Sequence, residues 1–414
     1  MYSFELLEIL SIIAHNLQTL DVARLVENAF TRNRSMSFPN ALSFILDMRK
    51  TTLQTRLNLF YQHMKGGEPI SQQAFSKLRM NFDHSPFETM VRTLVRKEYS
   101  GQYDLPLWCG YHIFGIDGSY LQLPRFDALR ETFGVRGRGG TCPCAGISVL
   151  YDVMHSWALN PILTGASMNE REECEGHVDF LCREMPNTAQ NSIVLLDRGY
   201  PSLALFKKLQ ASGLKYLARC SAQFLSPIND APLGDSVAVL EKDFSVRVFK
   251  FVLPCGEVET LVTNLFELHE SLLPNLYALR WGIEVAYFKL KRELCIEKFS
   301  GKTPNSIRQD FWASFVLLNA VAVFQREANE VVEERRTEKP AKHSYRARTS
   351  DLIITLRDRF IFAVLCGDKS FADAEMKHII RTMARAVSPV RPGRAYPRLF
   401  KPGLTVNHNL KSFL

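Results

Sequence analysis

The sequence predicts an α/β protein in which a helical region precedes a central sheet and a basic tail follows it. Three observations indicate this order. Residues up to about 98 have helical periodicity, the pattern from about 110 alternates between strands and helices, and the chain from Arg381 onward contains no acidic residue. At 414 residues, with 46% hydrophobic and 23% charged residues, the chain can form a large core and more than one structural unit.

The charge balance indicates a polyanionic partner. A formal net charge of +8 suits nucleic acid, although such an excess also serves solubility alone. The apolar N-terminus is interrupted by Glu5 and Glu8 and lacks the features of a signal peptide. No run approaches the roughly 18 apolar residues of a spanning helix. We therefore expect a cytoplasmic, nucleoid-associated protein without membrane contact.

Residues 1–98 form the predicted N-terminal helical region. Apolar residues at helical spacing predict one helix over 51–64, and Ser71 is the predicted cap of the next helix, beyond a Gly-Gly-Glu-Pro break. The second helix carries polar and basic residues, with Lys77 and Arg79 at its end. Two interpretations remain open here: a helix-turn-helix-like module that binds DNA ends, and a simple helical bundle with a solvated face.

The next region has the element order of a known α/β fold. Strands are predicted over 113–123, 146–153, 158–163, 192–196 and 215–218, and helices over 169–184 and 202–210. Three strands, a helix, a strand, a helix and a strand is the order of a ribonuclease-H-like domain. We therefore expect a ribonuclease-H-like core.

A β-rich segment at 221–270 is predicted to interrupt that core. Strands over 246–252 and 258–263 flank a Pro-Cys-Gly turn and predict a hairpin, which we expect to form a subdomain separate from the central sheet. A long helical segment follows over 271–297. The predicted domains, in chain order, are 1–98, a core of 110–220 and 271–325, the insertion 221–270, and a C-terminal helical region with a basic tail, 326–414.

Two aspartates lie where α/β sheets collect functional groups. Asp117 lies in the first predicted strand beside glycines, and Asp197 follows a buried apolar strand. A buried carboxylate is costly unless it has a partner such as a metal ion, and sites form at the carboxyl ends of strands. Each aspartate alone is a weak signal, because Asp is also common in turns.

The long helix carries four functional side chains at regular spacing: Tyr277, Arg280, Glu284 and Lys291. At about 100° per residue, these lie within roughly 60° of one another on one face. A carboxylate for a cation beside two basic groups for phosphate oxygens fits a metal-bound phosphodiester. The alternative is a surface salt-bridge ladder with an Arg280–Glu284 pair at i, i+4.

This spacing resembles the tyrosine–arginine–glutamate–lysine signature of the insertion-sequence-four transposase family. The similarity runs from about residue 30 to the terminus. The other matching motifs are Asp117-Gly118-Ser119, Asp197-Arg198-Gly199-Tyr200, Val262-Thr263-Asn264-Leu265 and Val390-Arg391-Pro392-Gly393-Arg394. Four ordered motifs favour the active-site interpretation over the salt-bridge ladder.

The resemblance implies a DNA transposase of a prokaryotic insertion sequence, which cuts and transfers DNA strands. Asp117, Asp197 and Glu284 would be the catalytic triad and would bind two Mg²⁺ ions, with Mn²⁺ as an alternative. Its partners would be double-stranded DNA, both inverted-repeat ends and target, and a second copy of the chain in a homodimer. The expected DNA contacts are Tyr277, Arg280, Lys291, Arg198, Lys77, Arg79, Arg391 and Arg394.

Two alternatives and one mechanistic detail stay open. The alternatives are a non-catalytic DNA-binding relative and a stand-alone metal-dependent nuclease. Relatives that form DNA hairpins stack a flipped base on an aromatic side chain of the insertion. Here no Trp lies between Asp197 and Trp281, so Phe249, Phe251 or Phe266 would have to serve.

Cysteine and histidine residues offer a weak zinc alternative. Nine cysteines are scattered along the chain, and Cys142 and Cys144 form the closest pair. With His155, Cys174, His177 and Cys182 a zinc site can be imagined. The spacing matches no standard ligand pattern, and buried thiols are common in cores, so we expect no zinc from this set.

Overall fold

The computed structural model describes residues 1–32, 35–47, 51–63, 68–137, 141–221, 223–338, 343–353, 355–356 and 369–390. These residues divide into two compact units. Unit 1 contains Met1–Lys97, Leu121–Cys144 and the described residues from Lys289 onward. Unit 2 contains Glu98–Tyr120 and Ala145–Phe288. This division differs from the predicted one, because two later segments of the chain join the N-terminal helices in unit 1.

Nine strands of the described residues form one mixed sheet. They are β1 His112–Gln122, β2 Val135–Arg136, β3 Cys142–Asp152, β4 Trp157–Thr164, β5 Ser192–Leu196, β6 Lys215–Cys220, β7 Gly234–Glu241, β8 Phe244–Val252 and β9 Val258–Thr263. The order is β2-β3-β1-β5-β6-β9-β8-β7, and β4 pairs with β3. The architecture is therefore mixed α/β, as the alternating sequence pattern predicts.

The centre of the sheet is parallel. β1 pairs with β5 through His112↔Ser192 to Ile116↔Leu196, and β5 pairs with β6 in the same direction. Every residue of β5 is buried, as expected for a central parallel strand that is covered on both faces. β3 and β4 are antiparallel to each other. The five strands that were predicted between residues 113 and 218 are confirmed as elements.

The strands of the 221–270 segment extend the central sheet. β9 pairs antiparallel with β6, from Leu217↔Thr263 to Cys220↔Thr260, and β8 and β7 continue outward. The hairpin prediction is confirmed, but the expectation of a subdomain separate from the central sheet is wrong. The physical reason is the edge of β6, whose N–H and C=O groups would stay unpaired without β9.

The helices of unit 2 are α8 Glu170–Glu184, α9 Pro186–Gln190, α10 Leu203–Ala211, α11 Ser226–Asn229, α12 Leu273–Ala278 and α13 Trp281–Phe288. Leu273 and Leu276 of α12 are buried in one apolar cluster with Ile113, Ile193 and Leu217 of the central strands. This packing fixes the start of the segment that carries Tyr277, Arg280 and Glu284.

The helices of unit 1 are α1 Ser3–His15, α2 Leu17–Ala23, α3 Phe38–Leu46, α4 Leu53–His63, α5 Gln72–Leu78, α6 Ser85–Glu98, α7 Asp127–Phe133, α14 Pro304–Glu338 and α15 Lys369–Met383. A short hairpin, β10 Tyr345–Ala347 with β11 Val387–Pro389, completes it. The predicted cap is confirmed, since Ser71 Oγ accepts a hydrogen bond from Ala74 N at 3.1 Å.

Helix α14 is the long apolar core helix of unit 1. By length and composition it could cross a membrane, and so could the bent pair α1 and α2, contrary to the expectation that no segment meets this test. In α14, however, 94% of the apolar window is buried inside the protein. The apolar side chains of α14 are thus packed against other parts of the protein, as in the core helix of a globular protein.

Candidate active site

Asp117 and Asp197 lie side by side where the parallel pairing of β1 with β5 ends, although β1 itself continues to Gln122. The last paired residues of β1 and β5 are Ile116 and Leu196, and each aspartate is the next residue along its strand direction. The two side chains are half-buried. The sheet topology therefore brings together two carboxylates that are 80 residues apart in sequence.

Glu284 reaches the same region from helix α13. The helix passes close to the end of β3, and a Cβ atom on Gly282 would lie 3.0 Å from Val153 Cβ. A side chain at this position would push α13 outward. Glycine therefore lets the turn that carries Glu284 lie close to the strand ends.

Arg280 lies between the carboxylates. Its Nη2 atom is 2.7 Å from Glu284 Oε1 and 3.6 Å from Asp197 Oδ2, and the Arg280 side chain is only 9% exposed. The Tyr277 hydroxyl donates a hydrogen bond to Asp197 Oδ1 at 3.2 Å. The structure thus brings Asp197, Glu284 and Tyr277 together around the guanidinium group of Arg280, with Asp117 close enough to feel its charge.

The helix that carries these residues is not continuous. The sequence predicts one helix over 271–297, whereas α12 ends at Ala278 and α13 begins at Trp281. Hydrogen bonds from Arg280 N to Tyr277 O and from Ile283 N to Arg280 O tighten the turn between them. Lys291 lies in a separate five-residue π-helix, Lys289–Glu293, which belongs to unit 1.

The two aspartates have opposite electrostatic environments. Burial raises the pKa of Asp117 to about 6, against the opposing charge of Arg280 and the Gly118 N–H. Burial also acts on Asp197, but the Arg198 N–H, Arg280 and the Tyr277 hydroxyl outweigh it and hold its pKa below the usual value. The negative charge of Asp117 is therefore not fully offset by the positive charge around it.

The donor set fits a hard divalent cation. Three carboxylates offer the oxygen ligands that Mg²⁺ and Mn²⁺ prefer, and a cation would supply the charge that Asp117 lacks. The ligand atoms are not gathered around one point, since the described residues contain a single group of three with all atoms within 4.8 Å, and it lies elsewhere. In this arrangement Arg280 separates Asp197 from Glu284.

Residues that the sequence does not single out also border the triad. The Tyr287 hydroxyl donates a hydrogen bond to the backbone oxygen of Asp117 at 2.7 Å. Glu170, the first residue of α8, is so near that a Cβ on Gly118 or on Gly199 would lie 3.3 Å from one of its carboxylate oxygens. Tyr287 is three residues after Glu284, a helical spacing that the sequence could have revealed. No sequence pattern near Glu170 predicts its position beside the three acidic residues.

The remaining predicted DNA contacts differ in accessibility. Arg198 and Lys77 are exposed. Arg79 is 2% exposed, and its guanidinium group lies 3.1 Å from Asp310 and donates to Gln309. A DNA contact by Arg79 does not fit this structure, because its guanidinium group is buried in an ion pair with Asp310. Arg391 and Arg394 lie outside the described residues.

The aromatic candidates for base stacking also differ. Phe249 and Phe251 stack on each other at 5.5 Å and pack against the apolar core of the sheet. Phe266 is 50% exposed. Trp281, the neighbour of Arg280, is 54% exposed on α13. Exposure therefore favours Phe266 within the predicted set and adds Trp281 to it.

The residues of the cysteine-based zinc alternative have their own surroundings in the structure. His177 is buried and hydrogen-bonded to Ser148 and Asn160, so both ring nitrogens are engaged. Cys142, Cys174 and Cys182 carry free thiols. Across the part of the chain that the structure describes, no group of three potential metal ligands includes a cysteine.

The family model and the curated relative that match this chain are both transposases. The family described as "Transposase DDE domain" matches residues 109–320, slightly more than half of the chain. The chain is 22% identical over 323 residues to transposase InsG for insertion sequence element IS4 from Escherichia coli (strain K12), covering 72% of this chain and 69% of that protein. A cryo-EM structure of the piggyBac transposase synaptic complex with hairpin DNA aligns with 95% of this chain and 86% of its own, at 14% identity and a TM-score of 0.47.

Proposed function

Because the chain belongs to the insertion-sequence-four type of DDE transposases, enzymes that cleave and transfer DNA strands with divalent metal ions, we propose that Asp117, Asp197 and Glu284 are its catalytic triad. The observation that carries this proposal is the meeting of the three acidic residues around Arg280, where the parallel pairing of β1 with β5 ends.

The three carboxylates would hold two Mg²⁺ ions, or Mn²⁺ in their place. When bound, paired ions activate the attacking oxygen and stabilise the leaving oxygen of an in-line displacement at phosphorus. Each residue of the site then has a separate task. Asp117 would be fully ionised, because a bound cation offsets the unfavourable burial of its negative charge. Tyr277 would keep Asp197 oriented through its hydrogen bond. Arg280 would exchange its contact with Glu284 for one with a phosphate oxygen of the DNA.

The core around the site has a ribonuclease-H-like arrangement. The order β4-β3-β1-β5-β6, with β1, β5 and β6 parallel, and the placing of α8 between β4 and β5 support this assignment. We assign the catalytic core to 110–220 and 271–325, with the strands of 221–270 as its lateral extension. Residues 1–98 would bind the DNA end, and 326–414 would add the C-terminal helical region and basic tail.

The partners are double-stranded DNA, first the inverted-repeat ends and then the target. Exposed Arg198, beside Asp197, and exposed Lys77 are suited to phosphate contacts, and Lys291 completes the signature. A homodimer would hold two ends together in the cell's nucleoid. Where a hairpin intermediate forms, Phe266 is the residue of the β-rich segment that is accessible for stacking a flipped base.

A cleavage assay on DNA that carries the ends of the element tests the proposal. Wild type is compared with Glu284→Gln in Mg²⁺ and in Mn²⁺, and with Glu257→Gln, an exposed glutamate at the β8–β9 turn, as the matched control. We expect metal-dependent nicking and joining of the free 3′ end to a target plasmid in wild type and in Glu257→Gln only. Undiminished cleavage by Glu284→Gln would refute the triad, and nicking without joining would indicate a nuclease.

A further inference from the structure

A second group of side chains that could bind a metal ion lies around the start of β1. His112 begins the strand, Asp152 ends β3, and His155 follows in the β3–β4 turn, with one ligand atom of each lying within 4.8 Å of the others. His112 is five residues before Asp117, or roughly 16 Å along an extended strand. The group is therefore separate from the triad, although both lie in unit 2.

Hydrogen bonds fix the orientation of the Asp152 carboxylate, as is usual for a carboxylate that binds a metal ion. It is fully buried, its Oδ1 accepts hydrogen bonds from the backbone N–H groups of Met154 and His155 at 2.9 Å, and its Oδ2 accepts one from the Tyr99 hydroxyl at 2.7 Å. Its orientation is thus fixed from outside the group. No Lys or Arg forms an ion pair with it among the described residues, and a buried carboxylate usually pairs with a cation or coordinates a metal.

The two histidines leave nitrogen atoms without partners. His155 Nε2 lies 3.1 Å from the carbonyl oxygen of Pro106, which can only accept, so Nε2 carries the proton and Nδ1 keeps its lone pair. Metal-bound histidines are commonly oriented by such a carbonyl. His112 Nδ1 is buried and has no hydrogen-bond partner. No hydrogen bond joins the three side chains to one another within the described chain, although their ligand atoms lie close together.

We propose that His112, Asp152 and His155 form a binding site for one Zn²⁺ ion. Two imidazole nitrogens and one carboxylate oxygen form a three-residue ligand set that zinc accepts, with water as the fourth ligand, whereas Mg²⁺ prefers oxygen alone. The ion would join the start of β1 to the β3–β4 turn, 40 residues later in sequence. Its role would be to stabilise this end of the sheet, independently of the ions that act on DNA.

A zinc titration of the full chain separates this site from the triad. In a chain with Asp197→Asn and Glu284→Gln, which removes two triad carboxylates, we expect one tightly bound zinc per chain and a visible absorption band when Co²⁺ replaces it. Adding His155→Gln should weaken zinc binding by at least about 100-fold, since loss of a mere orienting partner already costs about 10- to 100-fold. His269→Gln, at an exposed histidine of the same unit, is the matched control.

Thermal unfolding provides a readout that does not depend on catalysis. Zinc should raise the Tm of the triad-deficient chain and of its His269→Gln form, and leave the Tm of the His155→Gln form unchanged, because only a folded-state site shifts the equilibrium. Equal Tm values in a chelator would establish that His155→Gln folds normally. A zinc-dependent rise that persists in His155→Gln, or absence of tight zinc binding in the parent, overturns the proposal.

Discussion

Single residues set the charge balance of the candidate active site. Three acidic groups share one guanidinium group, and Arg280 is close enough to Asp197 and Glu284 to neutralise part of their charge. Asp117 receives less of this compensation, and its burial raises its pKa to about 6. The site is therefore charged in a way that favours cation binding, and this has a consequence for stability.

The stability of the metal-free protein should depend on pH through Asp117. Its folded-state pKa of about 6 lies above the reference value of 3.8, so the folded state holds the proton more tightly. The stabilising contribution is complete below about pH 4 and is lost as the pH rises through about 6. At pH 7.5 Asp117→Asn should therefore stabilise the metal-free chain, by an amount on the order of 2 kcal/mol, and by much less at pH 4.5.

Chemical denaturation in a chelator at both pH values measures this effect. Asp243→Asn, at an exposed aspartate in the β7–β8 turn, is the control and should change stability little at either pH. Equal effects of Asp117→Asn at pH 7.5 and pH 4.5 would contradict the electrostatic explanation. In the wild type, the apparent affinity of the metal-free chain for Mg²⁺ should weaken below about pH 6, because a proton on Asp117 competes with the cation.

Arg79 and Lys77 are neighbours in sequence with different expected roles. Arg79→Ala would remove the positive charge that neutralises the buried carboxylate of Asp310, a loss that typically costs about 3–5 kcal/mol. Lys77→Ala removes only an exposed charge and should leave stability within about 0.5 kcal/mol. Denaturant unfolding and DNA binding should be measured on both. Normal stability of Arg79→Ala would contradict the structural role that its burial indicates.

At the scale of elements, the close approach of α13 to the strand ends positions Glu284. A Cβ on Gly282 would lie 3.0 Å from Val153 Cβ, so Gly282→Ala should displace the helix by a few tenths of an ångström. Misplacement of a catalytic group by about 1 Å can cost about 100-fold in rate. We expect Gly282→Ala to lower the cleavage rate by about 10-fold or more while DNA binding persists.

The matched control for this substitution is Gly176→Ala in helix α8. A Cβ there meets no atom within 4 Å, and alanine in place of a helical glycine should stabilise α8 by up to about 1 kcal/mol. Cleavage rates of both variants, measured at saturating Mg²⁺, separate a local steric effect from a general effect of added methyl groups. A Gly282→Ala enzyme with the wild-type rate would show that α13 tolerates the shift.

At the scale of the whole molecule, the basic C-terminal tail should add phosphate contacts. The segment 391–414 lies outside the described residues and carries Arg391, Arg394, Arg398, Lys401 and Lys411. Each phosphate contact contributes about 0.9 to the slope of log K against log salt. Deleting the tail should lower that slope by up to about 4 and weaken DNA binding at moderate salt, as measured by fluorescence anisotropy.

A tail of equal length with Gln at these five positions is the control for chain length. It should bind DNA as weakly as the deletion, since charge and not length provides the affinity. Unchanged affinity of both variants would show that the tail does not contact DNA. The effect should be the same for element ends and for unrelated DNA, because phosphate contacts carry no sequence information.

The sequence by itself determined the order of the elements and the motifs of the site. A continuous apolar run marks β5, and short-range spacing relates Arg280 to Glu284 on one helical segment. These features depend on neighbours within one or two turns of chain. The same local rules place Asp117 and Asp197 at strand positions where a site is expected.

Only the tertiary structure decided which distant residues meet. Pairing of β9 with β6 makes the 221–270 strands part of the central sheet, and Asp310 draws Arg79 into the core of unit 1. Glu170 beside Gly118, and Asp152 beside His112, likewise come together across 40 or more residues. The physical reason is that strand edges and buried charges are satisfied by whichever partner the folded chain brings near, and no local pattern encodes that choice.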